Sequence, residues 1–193
     1  MRDHETISLL FGLITFLVGT LLGGVVNMLA GQYAVFKESK GVALAIRAEL
    51  QSLVKLAALR NYAAVSDAII KRLGDPSHTP EQSDVFSMHI TQDYFSVFHA
   101  LSPRLGLLGP LASNVVFTYA ATKALVEDVR SLREQAVPCV EGRSTVTAEQ
   151  VRALLLERTC SLNQLIKETM RIGVDTVNVL AAFAERRWLG TFK

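Results

Sequence analysis

From Thr6 to Phe36 the chain carries no charged residue, and ISLLFGLITFLVGTLLGGVVNMLA inside that run is almost unbroken in apolar side chains. About 20 apolar residues suffice to cross a bilayer's hydrocarbon core. The core helix of a water-soluble protein rarely goes so long without a charge. The pattern predicts a tail and transmembrane helix over 1–36 and a separate domain over 37–193. A cleaved signal peptide fits less well. Arg2 is offset by Asp3 and Glu5, the apolar run is too long, and Ala30 and Ala34 follow Met28 and Gln32 rather than small residues.

Beyond the span the apolar positions recur every three to four residues, the helical period. Segment 41–73 is rich in Ala, Leu, Lys and Arg, and Leu50, Leu53, Val54, Ala57, Ala64, Ala68 and Leu73 mark its apolar face. Only Gly41 interrupts the continuation of the membrane helix into it, and Gly74-Asp75-Pro76 ends it. DPSHTPEQSD, 75–84, reads as a polar loop. Residues 85–101 read as a helix with Phe86, Tyr94, Phe95 and Phe98 toward a core; their β-branched residues also permit a strand, for which the sequence offers no partner. Pro110 suits the first turn of a helix over about 110–134, with Leu111, Val115, Tyr119, Val126 and Val129 on one stripe. QAVPCVEGRSTV, 135–146, reads as a loop. Thr147 and Gln150 form a capping-box pattern that opens a last helix from Ala148 to about Arg187. Its apolar side holds Leu155, Leu162, Leu165, Ile166, Val177, Leu180 and Phe183, and Gly173 marks a weak point or a close helix contact. The fold class expected is all-α: one transmembrane helix, then an antiparallel helical bundle with two long outer members and two shorter ones between them.

Composition adds to this mainly through its distribution. Of 193 residues 50% are hydrophobic and the net charge is +2, so no whole-molecule field for nucleic acid is indicated. Residues 37–72 hold seven cations against three acids, a local +4 directly behind the span. The positive-inside bias then places the C-terminal domain in the cytoplasm, against a short outer tail with Arg2 and the terminal amine. Lys37 and Lys40 are expected at the inner headgroups, with Tyr33 and Phe36 in the interfacial belt. AERRWLGTFK, at the C-terminus, is expected to return to the same level: Arg186 and Arg187 supply cations, Trp188 an interfacial aromatic. The competing reading is a frayed tail with Trp188 on the bundle.

Candidate chemistry is sparse. Small residues four apart, Gly19 with Gly23 above all, offer a helix-contact face within the membrane; the same glycines also suit a span with no partner. Asn27 bonds across a dimer or lies near the inner headgroups. His89, Asp93 and His99 lack a recognised metal spacing and read better as surface or core-edge polar groups. Cys139 and Cys160 have no metal spacing either, and a cytoplasmic domain keeps them reduced. Cys160 sits mid-helix among apolar residues, as a small buried thiol. GLLG at 106–109 punctuates helices rather than cradling phosphate, since no strand precedes it. No GxSxG, HExxH or GxxxxGK[ST] pattern occurs, so no catalytic, metal or cofactor residues are assigned.

Leu105, Gly106, Leu107, Leu108, Pro110, Val115, Val116 and Tyr119, behind an apolar span and an AIRAEL helix, carry a resemblance. Over about two-thirds of its length the chain looks like a scattered set of uncharacterised bacterial single-span, membrane-anchored helical proteins. The resemblance implies a bacterial source, single-span topology and a helical domain; it implies no activity. The function expected is that of a cytoplasmic-membrane protein whose helical domain serves as a protein-interaction or self-association module, with the bilayer, a further copy or another protein as partners. The alternative is a membrane-perturbing or pore-associated factor whose glycine-containing span oligomerises. An enzyme comes third, and a deep polar cavity would favour it.

Overall fold

A computed structural model describes the backbone of residues 2–88, 92–143 and 145–188, and their side chains except at 2–11, 92 and 93. Among these residues the regular secondary structure is all helical, without strands. Five α-helices occur: α1 Arg2–Leu59, α2 Tyr62–Leu73, α3 Ser96–Leu101, α4 Leu111–Val140 and α5 Ala148–Glu185. Short 3-10 segments cover Gln82–Asp84, Gln92–Phe95 and Ser102–Leu108.

α1 has 58 residues and does two different things along its length. Over 12–35 its side chains are exposed apart from a half-buried Leu29, including Phe16, Leu21, Leu22 and Val26 at 61–70%. This part is long and apolar enough to cross a membrane by length and composition. Thr20 donates its hydroxyl to Phe16 O at 2.8 Å, so that polar group is satisfied within the helix. From Ser39 onward the same helix is covered: Val42, Ala43, Ile46 and Leu50 are at most 3% exposed.

The helix expected over 41–73 is instead broken at 60–61. Asn61 takes a left-handed conformation, φ 49°, which Asn tolerates better than most residues. The break resets the helical phase. Ala64 and Ala68, placed on the apolar face by an unbroken period, are exposed, and α2 buries Tyr62, Ser66, Ile69 and Leu73.

α5 is the central element rather than an outer one: α1, α2 and α4 all pack on it. Its buried residues run Val151, Leu155, Thr159, Leu162, Ile166, Thr169, Gly173, Thr176 and Leu180, at three- and four-residue steps. Gly173 is a close contact, since a Cβ there would lie 3.1 Å from Val54 Cγ2. Ser66 donates to Asn163 Oδ1 at 2.8 Å, Arg152 Nη1 donates to Leu73 O at 3.3 Å, and Thr118 shares a 2.9 Å hydrogen bond with Thr176. The Thr147–Gln150 capping box is present at the start of α5.

Two other boundaries differ from expectation. α4 continues to Val140 through Pro138, where a loop was expected, because Ala136 is fully buried and Val137, Cys139 and Val140 pack on the same core. Residues 85–88 are not helical. Asp84 is tied down, and Phe86 is fully buried edge-on to Tyr62, centroids 6.1 Å apart, which holds the chain extended at Val85. The α-helix begins only at Ser96, after a 3-10 turn over Gln92–Phe95, so of the helix expected over 85–101 the part at 85–88 is absent and 89–91 lie outside the described residues.

Candidate functional site

The end of the covered domain nearest the exposed apolar stretch gathers most of the residues expected at a membrane surface. Tyr33, 52% exposed, lies in the last turn of that stretch. Trp188, just past the end of α5, stands edge-on to it with centroids 5.6 Å apart. One turn further along α1, Lys40 Nζ sits 5.1 Å from the centre of the Phe36 ring. Arg186 sits 5.5 Å above the Phe183 ring at the end of α5. Lys37 and Arg187 are exposed. Cations and aromatics from two chain segments thus share one level. Phe192 and Lys193, of the same C-terminal motif, lie outside the described residues.

Gly19 and Gly23 lie on the exposed part of α1. A Cβ at either would meet nothing within 4 Å, so among the described residues both present open backbone.

Sequence reasoning missed a third contributor to this end. Arg104, in the Ser102–Leu108 turn, pairs with Glu38 at 3.1 Å. Leu105 and Leu108 of that turn pack under Val42, Ala43 and Ile46.

It also missed two polar clusters. Glu49 accepts from Val97 N at 2.7 Å, from Phe98 N at 3.0 Å and from the Tyr119 hydroxyl. Its carboxylate therefore starts α3, satisfying the free N–H groups of the first turn. Tyr119 stacks on Phe98, centroids 3.9 Å apart, and meets Phe95 edge-on. Burial first, then the Glu49 carboxylate, pushes the Tyr119 hydroxyl far above its usual pKa. Glu49 is the one acid between Glu38 and Asp67, and a lone acid on a helix with a buried face was the signal available.

The second cluster surrounds Asp84, whose side chain is fully buried. It accepts from Arg72 Nε at 2.8 Å and Glu81 N at 3.0 Å, and contacts His78 Nε2 at 2.6 Å. Burial opposes its ionisation, but the Glu81 amide, His78 and Arg72 together hold its pKa below the usual carboxylate value. Asp84 joins the loop 75–84 to the end of α2.

A cavity of about 60 Å³ lies between α1, α2, α4 and α5, walled by Leu50, Val54, Leu125, Ile166 and Thr169 among others. It is mainly apolar and far below the 300–1,000 Å³ of ordinary small-molecule sites. Larger open grooves of about 360 and 340 Å³ lie beside Gln82–Ser87 with Arg133 and along α4 and α5 at Phe117 and Val179. Of the residues weighed and set aside as a metal corner, His89 lies outside the described residues, as does the Asp93 side chain; His99 is exposed. Among the described residues no three His, Cys, Asp or Glu side chains cluster to hold a metal. Cys139 and Cys160 are unpaired thiols, both half-buried on helices. No family model, curated protein or solved structure matches the chain.

Proposed function

We propose that this is a single-pass protein of the bacterial cytoplasmic membrane whose cytoplasmic helical domain is an interaction module that brings copies of the chain together. The carrying observation is the change of character within one helix: α1 is bare and apolar over 12–35, then covered from Ser39. A bare apolar stretch of that length is stable in lipid and a liability in water. The local +4 behind it favours the cytoplasmic side.

The domain is read as an antiparallel bundle. Support comes from the order of contacts, in which rising numbers on α1 and α2 meet falling numbers on α5: Tyr33 with Trp188, Val54 with Gly173, Ser66 with Asn163, Leu73 with Arg152. For self-association the support is exposed apolar surface on the α4–α5 seam. Phe117 is 60% exposed and Val179 39%, and they line one groove with Asn114 and Ile172, rimmed by the ion-paired Glu168, Arg171 and Asp175. A shared membrane confines the copies to one surface, which lets modest contacts associate.

Two measurements on the full chain test this. A C-terminal reporter active only in the cytoplasm is expected to work, and one requiring export is not; the reverse would overturn the orientation. Cross-linking in bilayers should yield a dimer or higher oligomer that Phe117→Glu with Val179→Glu removes while helicity stays unchanged. A monomer at every protein-to-lipid ratio would end the self-association reading.

A further inference from the structure

The turn between α3 and α4 is drawn down to the foot of the domain, and its composition suits a lipid surface. Its height is set by α1. The exposed apolar stretch ends at Val35, and Glu38, three residues on, is the partner of Arg104 at 3.1 Å. At about 1.5 Å of rise per residue, Arg104 is thus held within roughly one helical turn of the end of that stretch. Leu105 and Leu108 point inward, buried against the Val42–Ile46 part of α1, which leaves Pro103, Gly106, Gly109 and Pro110 exposed and Leu107 half-exposed. α4 starts at Leu111 and leads away. The turn is therefore the foot of the domain on the side where α1 emerges.

Its charge pattern fits an anionic surface. No acid occurs between Asp93 and Glu127. The foot as a whole holds Lys37, Lys40, Arg104, Arg186 and Arg187 against Glu38 and Glu185, five cations to two acids. Basic side chains beside a membrane helix are attracted to acidic headgroups, and an uncharged tip of Gly, Leu and Pro can enter the headgroup layer without desolvating a charge.

We propose that the Ser102–Leu111 turn, tipped by Gly106 and Leu107, rests on anionic lipid, so that the domain stands on the bilayer at α1, the C-terminal end of α5 and this turn instead of swinging on a single helix. This rests on the single-span reading above, and the partner is the bilayer itself.

The test places an environment-sensitive fluorophore on a single cysteine in the full chain, with Cys139→Ala and Cys160→Ala removing the native thiols. Gly106→Cys is suitable because the position is exposed and a Cβ there meets nothing within 4 Å. Leu21→Cys reports the span, and Thr145→Cys, at an exposed position before α5 at its far end, reports water. In phosphatidylcholine vesicles containing phosphatidylglycerol, the label at 106 is expected to shift to the blue and be quenched by headgroup-labelled lipid, with loss of both effects in phosphatidylcholine alone. Emission at 106 matching that at 145, with the label at 21 lipid-buried, would overturn this inference and leave the anchor standing. A label at 21 that stays aqueous would overturn both.

Discussion

Trp188 stands edge-on to Tyr33, centroids 5.6 Å apart and planes at 80°. One belongs to the last turn of the bare apolar stretch and the other follows α5, so the two ends of a long excursion meet at one place. The sequence offered two fates for the only tryptophan, a membrane surface or packing on the bundle. The ring packs on Tyr33, in the turn where the apolar stretch ends, which is where the single-span reading proposed above puts the membrane surface. In anionic vesicles the emission of the full chain should therefore lie to the blue and be quenched by headgroup-labelled lipid. Tyr33→Ala should move it toward the red and cost about 1 kcal/mol of aromatic contact. An emission spectrum insensitive to labelled lipid would dispose of the idea.

Glu49 joins three pieces of chain: α1, the first turn of α3 and Tyr119 of α4. Glu49→Ala leaves the Val97 and Phe98 amides and a buried hydroxyl without their acceptor and should cost about 2 kcal/mol, while Glu49→Gln, which keeps an oxygen there, should cost less. Tyr119→Phe should cost about 1 kcal/mol. Chemical denaturation followed by circular dichroism measures all three. An order in which Gln is as damaging as Ala would mean the charge, not the acceptor, is what matters. Because the folded Tyr119 hydroxyl has a raised pKa, the unfolded chain loses that proton first. Its stabilising effect is present below the ordinary tyrosine value near 10 and is lost as pH rises beyond it.

Asp84 gives the opposite dependence. Its carboxyl is held below its ordinary 3.8, so on acidification the unfolded chain takes up the proton first. The stabilisation is present above that value and falls away below it. Asp84→Asn should be destabilising by about 2 kcal/mol at pH 7, with the gap to the parent protein narrowing toward pH 3. A gap that is constant with pH would show that Asp84 acts through packing alone.

The bare apolar stretch and the α5 cap were legible because each is a local signal, an uninterrupted run in one case and Thr147 with Gln150 in the other. The break at 60–61 was not. No proline marks it; Asn61 adopts a left-handed conformation, with its amide donating to Ala58 O three residues back, and everything after it changes face. The extension of α4 past 134 was hidden for the contrary reason: Pro138 and the polar tail signalled a stop, and burial of Ala136 outweighed them. At the foot of the domain, Lys37, Lys40, Arg186, Arg187 and Trp188 were identified by residue type and flank. Arg104 was passed over, since only the fold carries it from mid-chain to Glu38.

Gly19 and Gly23 present backbone with nothing within 4 Å of a Cβ at either position, so nothing among the described residues explains their smallness. In lipid the hydrophobic effect does not drive helices together; close backbone approach and packing do, and small residues four apart allow it. If the two glycines form a contact face, Gly19→Leu with Gly23→Leu should weaken dimerisation of the full chain in a bilayer, while Leu17→Ala with Leu21→Ala should matter less, because those positions lie on another side of α1. Both double variants should insert equally well, since each remains apolar. The same experiment separates the interaction module from the pore-associated alternative: in the first, Phe117→Glu with Val179→Glu disrupts association and ion leakage is unaffected by any variant. In the second, leakage from cells expressing the chain falls with the glycine pair. Dimerisation unchanged by the glycine pair would mean that the two residues are incidental to a span held by other contacts.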